Sequence, residues 1–323
     1  MSALARRYGS LFGMVAIILF FWIALPETFM TARNWINITQ QLSMLTVVAV
    51  TMTVVMVMGD FDLSVGAMAS LSGVVAAVLF TQDWPIPAAL GAALSVGLLG
   101  GLFNGVLVSL IGILPFVATL ATLTIFSGAA FLASGGKTIF GRDIPQAFSD
   151  FARGGLPIGS LADKPLLLPS LTILAALVTL AILIILEHTT YGRRLYAIGG
   201  NSEAARLAGV RTRALRLSAF AFTGLGAALA GLMYASRVAS ANPVQGDGLM
   251  LTAIAAVFLG MTITRDGQPH VLATVAGVIT LGVMDNGLTQ LQVDSYVRQV
   301  LVGAIILAAV SFSAFGRRAL RGR

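Results

Sequence analysis

The sequence predicts an all-α polytopic membrane protein, a single domain over residues 1–323 with about ten transmembrane or partly re-entrant helices. Three observations carry that expectation. Mean hydropathy is +0.92, and 57% of residues are hydrophobic against 10% charged, a balance far from the globular norm. The apolar residues fall in charge-free runs, most of them long enough to cross a bilayer core as helices. The charges collect between those runs, above all in residues 187–216, which hold Arg193, Arg194, Arg206, Arg211, Arg213 and Arg216.

The first run, 8–26, follows Arg6-Arg7 as a signal peptide would. Pro26-Glu27-Thr28-Phe29 offers no small-x-small cleavage site, so the run is predicted to be a retained span. The others are 34–59, 63–82, 84–136, 165–186, 217–236, 248–264, 267–284 and 299–316. Residues 84–136 are too many for one helix and carry Gly112 and Pro115 near their middle, so they count as two. Residues 63–82, broken by Gly66 and Gly73, and the short run 248–264 are the re-entrant candidates. Residues 134–165, with Gly135-Gly136, Gly154-Gly155 and three prolines, form the long loop.

With ten segments, both termini and the 187–216 loop share a side that carries 13 of the 20 Lys and Arg residues, against 7 opposite. Lys and Arg resist translocation, so that side is predicted to be cytoplasmic and 134–165 external, in the inner (plasma) membrane. An inverted repeat is hinted at. Gly59-Asp60 and Gly246-Asp247 each open a segment, and Gly100-x-x-x-Asn104-Gly105 is echoed by Gly282-x-x-x-Asn286-Gly287 in a segment of opposite direction. So few matches also fit coincidence.

Composition excludes several chemistries. There are no cysteines, hence no disulfide, thiol catalysis or Cys-ligated metal. The net charge of +7 sits in loops rather than along one face, which does not suggest nucleic acid. No Gly-x-x-x-x-Gly-Lys-Ser/Thr loop is present, so the chain is not expected to hydrolyse ATP alone. His188 and His270 lie far apart without metal-ligand companions, and no catalytic set stands out. No catalytic residue, metal or bound cofactor is expected.

Two polar groups interrupt the apolar runs. Asp60 and Asp62, in Gly59-Asp60-Phe61-Asp62-Leu63-Ser64, read either as caps of the following helix through Ser64 or as a broken helix beside a translocation path. Asp285-Asn286-Gly287, with Asn104-Gly105 as counterpart, could hydrogen-bond a hydroxylated solute or bridge helices. Gly97, Gly101 and Gly105 make a flat stripe for helix packing. In the basic loop, Gly199-Gly200 is expected to break the chain. Asn201 or Ser202 then caps a short helix over Glu203–Ala208, which Gly209 stops. Its Ala204 and Ala208 would form a smooth face, shaped to dock into a groove on a soluble partner.

That loop carries a resemblance. Thr190-Tyr191-Gly192-Arg193, Ala197-Ile198-Gly199-Gly200-Asn201 and Glu203-Ala204-Ala205-Arg206-Leu207-Ala208-Gly209-Val210 closely resemble the cytoplasmic loop of permease subunits of sugar-type ABC importers, the family of ribose, xylose, arabinose and galactoside permeases. The Glu-Ala-Ala-x-x-x-Gly core looks like the sequence that contacts the ATPase. The resemblance extends to Gly59–Val65, Thr119-Leu120-Ala121-Thr122, Asn286-Gly287 and Val297–Val310. Asp60-Phe61-Asp62, where many relatives read Gly-Ile-Asp, looks most like arabinose-type permeases, while Arg265-Asp266-Gly267-Gln268 departs from a glycine-rich turn.

The resemblance implies a permease that translocates a monosaccharide, such as arabinose, ribose or xylose, with ATP used by partner subunits. The implied partners are two ABC ATPase subunits or one tandem ATPase chain, a periplasmic sugar-binding protein, and a second copy or a related permease, all within membrane lipid. Gly192, Arg193, Gly199, Asn201, Glu203, Ala204, Ala205, Ala208 and Gly209 would couple to the ATPase. The rival readings are an ABC permease for branched-chain amino acids or nucleosides, which the Ala197–Asn201 wording disfavours, and an ion-coupled secondary transporter using Asp60, Asp62 or Asp285.

Overall fold

The computed structural model describes residues 3–161, 164–264, 266–301, 303, 304 and 307. In order, the elements are α1 (Ala3–Ala24), α2 (Ala32–Met56), α3 (Val65–Thr81), α4 (Ile86–Val106, continued by the π-helical stretch Leu107–Ile111), α5 (Pro115–Ser134), β1 (Ile139–Phe140), α6 (Gln146–Arg153), β2 (Gly155–Leu161), β3 (Lys164–Pro169), α7 (Ser170–His188), α8 (Thr190–Gly200), α9 (Ser202–Leu207), α10 (Thr212–Val238), β4 (Ser240–Ala241), α11 (Leu249–Met261) and α12 (Val271–Gln290). The fold is all-α apart from two small antiparallel pairs, β1 with β4 and β2 with β3. The span predicted over 299–316 lies for the most part outside the described residues, as do Arg265 and the C-terminal arginines.

Among the described residues, six helices are long and apolar enough to cross a membrane: α2, α4 with its π-helical extension, α5, α7, α10 and α12. α3 and α11 are shorter, at 17 and 13 residues. At about 1.5 Å per residue neither fills a core of about 30 Å, but α3 runs unbroken through Gly66 and Gly73, which the sequence reads as breaks. The run 84–136 divides where the sequence indicates, because Gly112 takes a left-handed φ of 85° and Pro115 starts α5.

α2 is the axle. From Ser43 to Met56 nearly every side chain is buried, and α7, α10, α11 and α12 pack around it. The outer helices α4, α5 and α7 instead expose Leu99, Phe103, Leu120, Ile125, Leu177 and Leu180, as lipid-facing surface does. The glycine stripe on α4 packs against α10: a Cβ at Gly105 would stand 2.8 Å from Leu217 Cα, and one at Gly97 would reach 2.6 Å from the Gly224 carbonyl. Only glycine permits that approach.

The elements sort into two ends. At one, Gly199 meets Val57, Tyr196 meets Pro269 and Arg216 meets Asp60. At the other, β1 pairs with β4, Ser236 Oγ donates to the Phe148 carbonyl at 2.6 Å and Thr28 Oγ1 donates to Gln290 Oε1 at 2.7 Å. The predicted long loop is folded rather than irregular. It holds α6 and most of the β2–β3 hairpin, and the pairing of Gly155 with Pro169 delays α7 to Ser170.

Candidate functional site: the basic loop and the carboxylate turn

The basic loop is built on an apolar floor. Thr189 Oγ1 accepts the Gly192 N–H at 3.3 Å and starts α8. Leu195 and Ile198 of α8, Ala205 of α9 and Leu215 of α10 are buried in one cluster with Val54, Val57 and Met58 at the end of α2. Gly192 and Gly199 have no room for a side chain, because a Cβ would strike the Leu186 and Val57 backbones. The break that Gly199-Gly200 suggests falls directly after them: α8 ends at Gly200, and Asn201 is extended before α9 begins at Ser202. Gly199 also serves close packing on α2. Tyr196 ties the loop to the turn before α12: its hydroxyl donates to Glu187 Oε1 at 2.8 Å, with the Pro269 carbonyl 3.1 Å away and His270 Nε2 3.4 Å from the same carboxylate. Burial, and the Glu187 carboxylate it faces, push the Tyr196 phenol above its ordinary range.

α9 is the short capped helix the sequence predicts. Asn201 Oδ1 accepts the Ala204 N–H at 2.9 Å, and Gly209, at φ 82°, ends the helix in the left-handed region. Val210 N–H closes the turn on the Ala205 carbonyl at 3.0 Å. Ala205 faces the floor, while Glu203, Ala204 and Ala208 are exposed. Leu207 shares the outer surface at 76% exposure, an apolar side chain that the sequence reading passed over. Its signal was there: a leucine between Ala204 and Ala208, within the stretch read as a docking surface. Arg206 holds Glu203 with Nη2 2.6 Å from Oε1, and Arg193 and Arg194 stand exposed on α8.

Below the loop lies the carboxylate turn, which begins at Gly59 with φ 82°. Asp62 is 1% exposed; its Oδ1 accepts Ser64 N–H at 2.9 Å and Ser64 Oγ–H at 2.6 Å. Asn104 Nδ2 donates to Ser64 Oγ at 2.8 Å, so α4 is tied to the start of α3. Asp62 thus caps this turn, and Asp60 does something else. Its Oδ2 lies 3.0 Å from Arg216 Nε, in the second turn of α10. α10 starts at Thr212, five residues before the charge-free run, which is how Arg216 reaches the turn.

The polar residues singled out in sequence do not converge. Asp60, Asp62 and Asn104 lie together beneath the basic loop. Asp285 and Asn286 lie at the opposite end, where Arg298 Nη1 stands 2.9 Å from Asp285 Oδ1 and Asn286 Oδ1 accepts from Asn34 Nδ2 at 3.1 Å and Gln290 Nε2 at 2.8 Å. Between them, the starts of the two short helices touch. Gly66 packs on Gly246, whose N–H donates to Ser70 Oγ at 2.7 Å. Among the described residues no group of three or more His, Cys, Asp or Glu could hold a metal.

Residues 34–310 match the family described as "Branched-chain amino acid transport system / permease component". The chain is 34% identical over 308 residues to the ribose import permease protein RbsC of Bacillus subtilis (strain 168), covering 94% of this chain and 92% of that protein. It is 35% identical over 288 residues to the ribose import permease protein RbsC of Escherichia coli (strain K12), covering 88% and 87%. Against the xylose transport system permease protein XylH of the same strain it is 30% identical over 348 residues, covering 92% and 88%. No solved structure matches it.

Proposed function

We propose that this chain, which belongs to the family of branched-chain amino acid transport system permease components, is the transmembrane subunit of an ABC importer that translocates a monosaccharide. Support for the sugar comes from the relatives, which are named for ribose, allose and xylose and resemble this chain over most of its length. The family description names branched-chain amino acids, so leucine is the control substrate. The end that carries α8 and α9 is proposed to be cytoplasmic, because 13 of the 20 Lys and Arg residues belong to that side. A periplasmic binding protein would deliver sugar to the opposite end. The path is proposed to pass Asp285 and Asn286 there and to leave near Asp62 and Asn104, with Asp60 held to Arg216 beside it.

The observation that carries the coupling role is α9 itself. It is six residues long, capped at both ends, anchored by Ala205, and presents Ala204, Leu207 and Ala208 outward. A helix so short is unstable alone, and its order comes from the floor beneath it. A partner groove that accepts small side chains and one leucine fits that surface, and an ABC ATPase pair, or one tandem chain, is the proposed partner. ATP-driven closure would press on α9 and switch the spans from outward- to inward-facing, with a second permease copy or a cousin beside it.

The test is Ala204→Trp in the full chain. The variant is expected to insert normally, because Ala204 is exposed on α9 outside the spans, yet to lose ATPase co-purification and ATP-dependent uptake of ribose, xylose or arabinose in liposomes with the binding protein. A variant that retains both sinks the docking assignment. Uptake of leucine but not sugar by the wild-type assembly would sink the sugar assignment, and uptake that survives ATP depletion at a constant proton gradient would favour an ion-coupled carrier.

A further inference from the structure

We propose that the Asp60–Arg216 pair is the strut through which movement of α9 reaches the touching starts of α3 and α11; this rests on the permease reading above. Arg216 moves with the docking helix. The Val210 N–H is bonded to the Ala205 carbonyl and the Thr212 N–H to the Val210 carbonyl, and Ala205 and Leu215 are buried in one cluster, so α9 and the first turns of α10 form one piece. Asp60 moves with the core of the bundle. Two residues on, Asp62 is fixed to Ser64, Ser64 is fixed to Asn104, and α3 begins at once, carrying Gly66 and Ser70 onto Gly246.

Apart from the Tyr196 hydroxyl, which lies against Glu187 and the Pro269 carbonyl on the α12 side, the remaining contacts between loop and core are largely apolar, such as those of Leu195 and Ile198 with Val54 and Val57, and Gly199 rests on Val57 without a side chain. Apolar surfaces slide past one another, since burial is non-directional. An ion pair between side chains on two separate pieces resists sliding. Arg216 Nε and Asp60 Oδ2 lie 3.0 Å apart, and neither forms a directed hydrogen bond to any partner among the described residues. Among the described residues those two atoms are held by each other alone, so displacement of Arg216 is either followed by Asp60 or opposed by it.

The full chain, assembled with its ATPase and binding protein in liposomes, gives the test. Asp60→Asn is the first variant, because it keeps the shape of the side chain and leaves Arg216 with a route to water. It should still co-purify with the ATPase and support ATP hydrolysis, while sugar moved per ATP falls by about 5- to 150-fold, the span of a typical coupling between sites. The exchange variant Asp60→Arg with Arg216→Asp should recover much of that ratio. A merely structural pair would lower insertion and hydrolysis together and leave the ratio alone, and that result overturns the strut. So does Asp60→Asn with a wild-type ratio, or an exchange variant that inserts and hydrolyses ATP but transports no better than Asp60→Asn. The wild-type arm separates the two ideas: wild type that moves no sugar refutes the permease reading, whereas wild type that transports beside an unchanged Asp60→Asn refutes only the strut.

Discussion

Two aspartate–arginine pairs stand at opposite ends of the bundle, and by distance they are twins: 3.0 Å for Asp60–Arg216 and 2.9 Å for Asp285–Arg298. Their surroundings differ. The two arginines are alike, Arg216 29% and Arg298 24% exposed, but the Asp60 side chain is 7% exposed and Asp285 52%. In the exposed pair, water solvates the aspartate whether or not the arginine is there, and screening leaves little net attraction. In the buried pair, each partner is what makes the other tolerable, so losing one is worse than never having had either. Arg298 also donates to Thr289 Oγ1 at 2.6 Å, so it holds a local partner without Asp285. Burial, not the contact itself, decides what a pair does.

Truncating the arginines one at a time makes that contrast measurable. Arg216→Ala strands the Asp60 carboxylate and should cost on the order of 3 kcal/mol, read as a clear drop in the unfolding temperature of the full chain in detergent. Adding Asp60→Asn to Arg216→Ala should return part of the loss, since no charge is then left unpaired. Arg298→Ala exposes nothing that water cannot reach and should cost less than about 1 kcal/mol. Equal drops for the two truncations would break the comparison, and a larger drop for Arg298→Ala would reverse it.

The same contrast explains what was legible in the sequence. Local signals were readable. Asn201 and Gly209 announce a short capped helix, Gly112 and Pro115 split a long run, and the four-residue spacing of Gly97, Gly101 and Gly105 marks a close helix contact. Each rests on properties of a few neighbouring residues. The partners of the isolated carboxylates were not readable. Asp60 and Asp62 are two residues apart and looked alike, yet one bonds to its own turn and the other to an arginine 156 positions away. Only tertiary packing decides which. Gly199 was only half legible for a related reason, because a glycine that ends a helix and one that also admits another backbone leave the same letter in the sequence. Asn104 and Asn286 share a Gly-x-x-x-Asn-Gly motif, but that motif does not say that Asn104 lies with Asp62 and Asn286 with Asn34 and Gln290.

The smallest expected effect belongs to a third pair, Glu203–Arg206 on α9, where Nη2 lies 2.6 Å from Oε1 and Nε 3.1 Å from Oε2. Its geometry is the best of the three, and its side chains are 64% and 63% exposed. Arg206, hydrogen-bonded to Glu203, holds that carboxyl below its usual range. A depressed carboxylate pKa stabilises the fold only above the ordinary glutamate value, and that contribution is lost as pH falls through the lowered one. Between pH 5 and 8 the pair is therefore fully formed and nearly without consequence, given its exposure to water. Arg206→Gln should leave the unfolding temperature unchanged across that range and at two salt concentrations, since what little the pair contributes is screened. ATPase co-purification should also survive, if Arg206 only braces Glu203 and the outward contact is made by Ala204, Leu207 and Ala208. An Arg206→Gln chain that folds normally but loses the ATPase would place the guanidinium in the interface, and an exposed pair would then matter through a partner's burial of it.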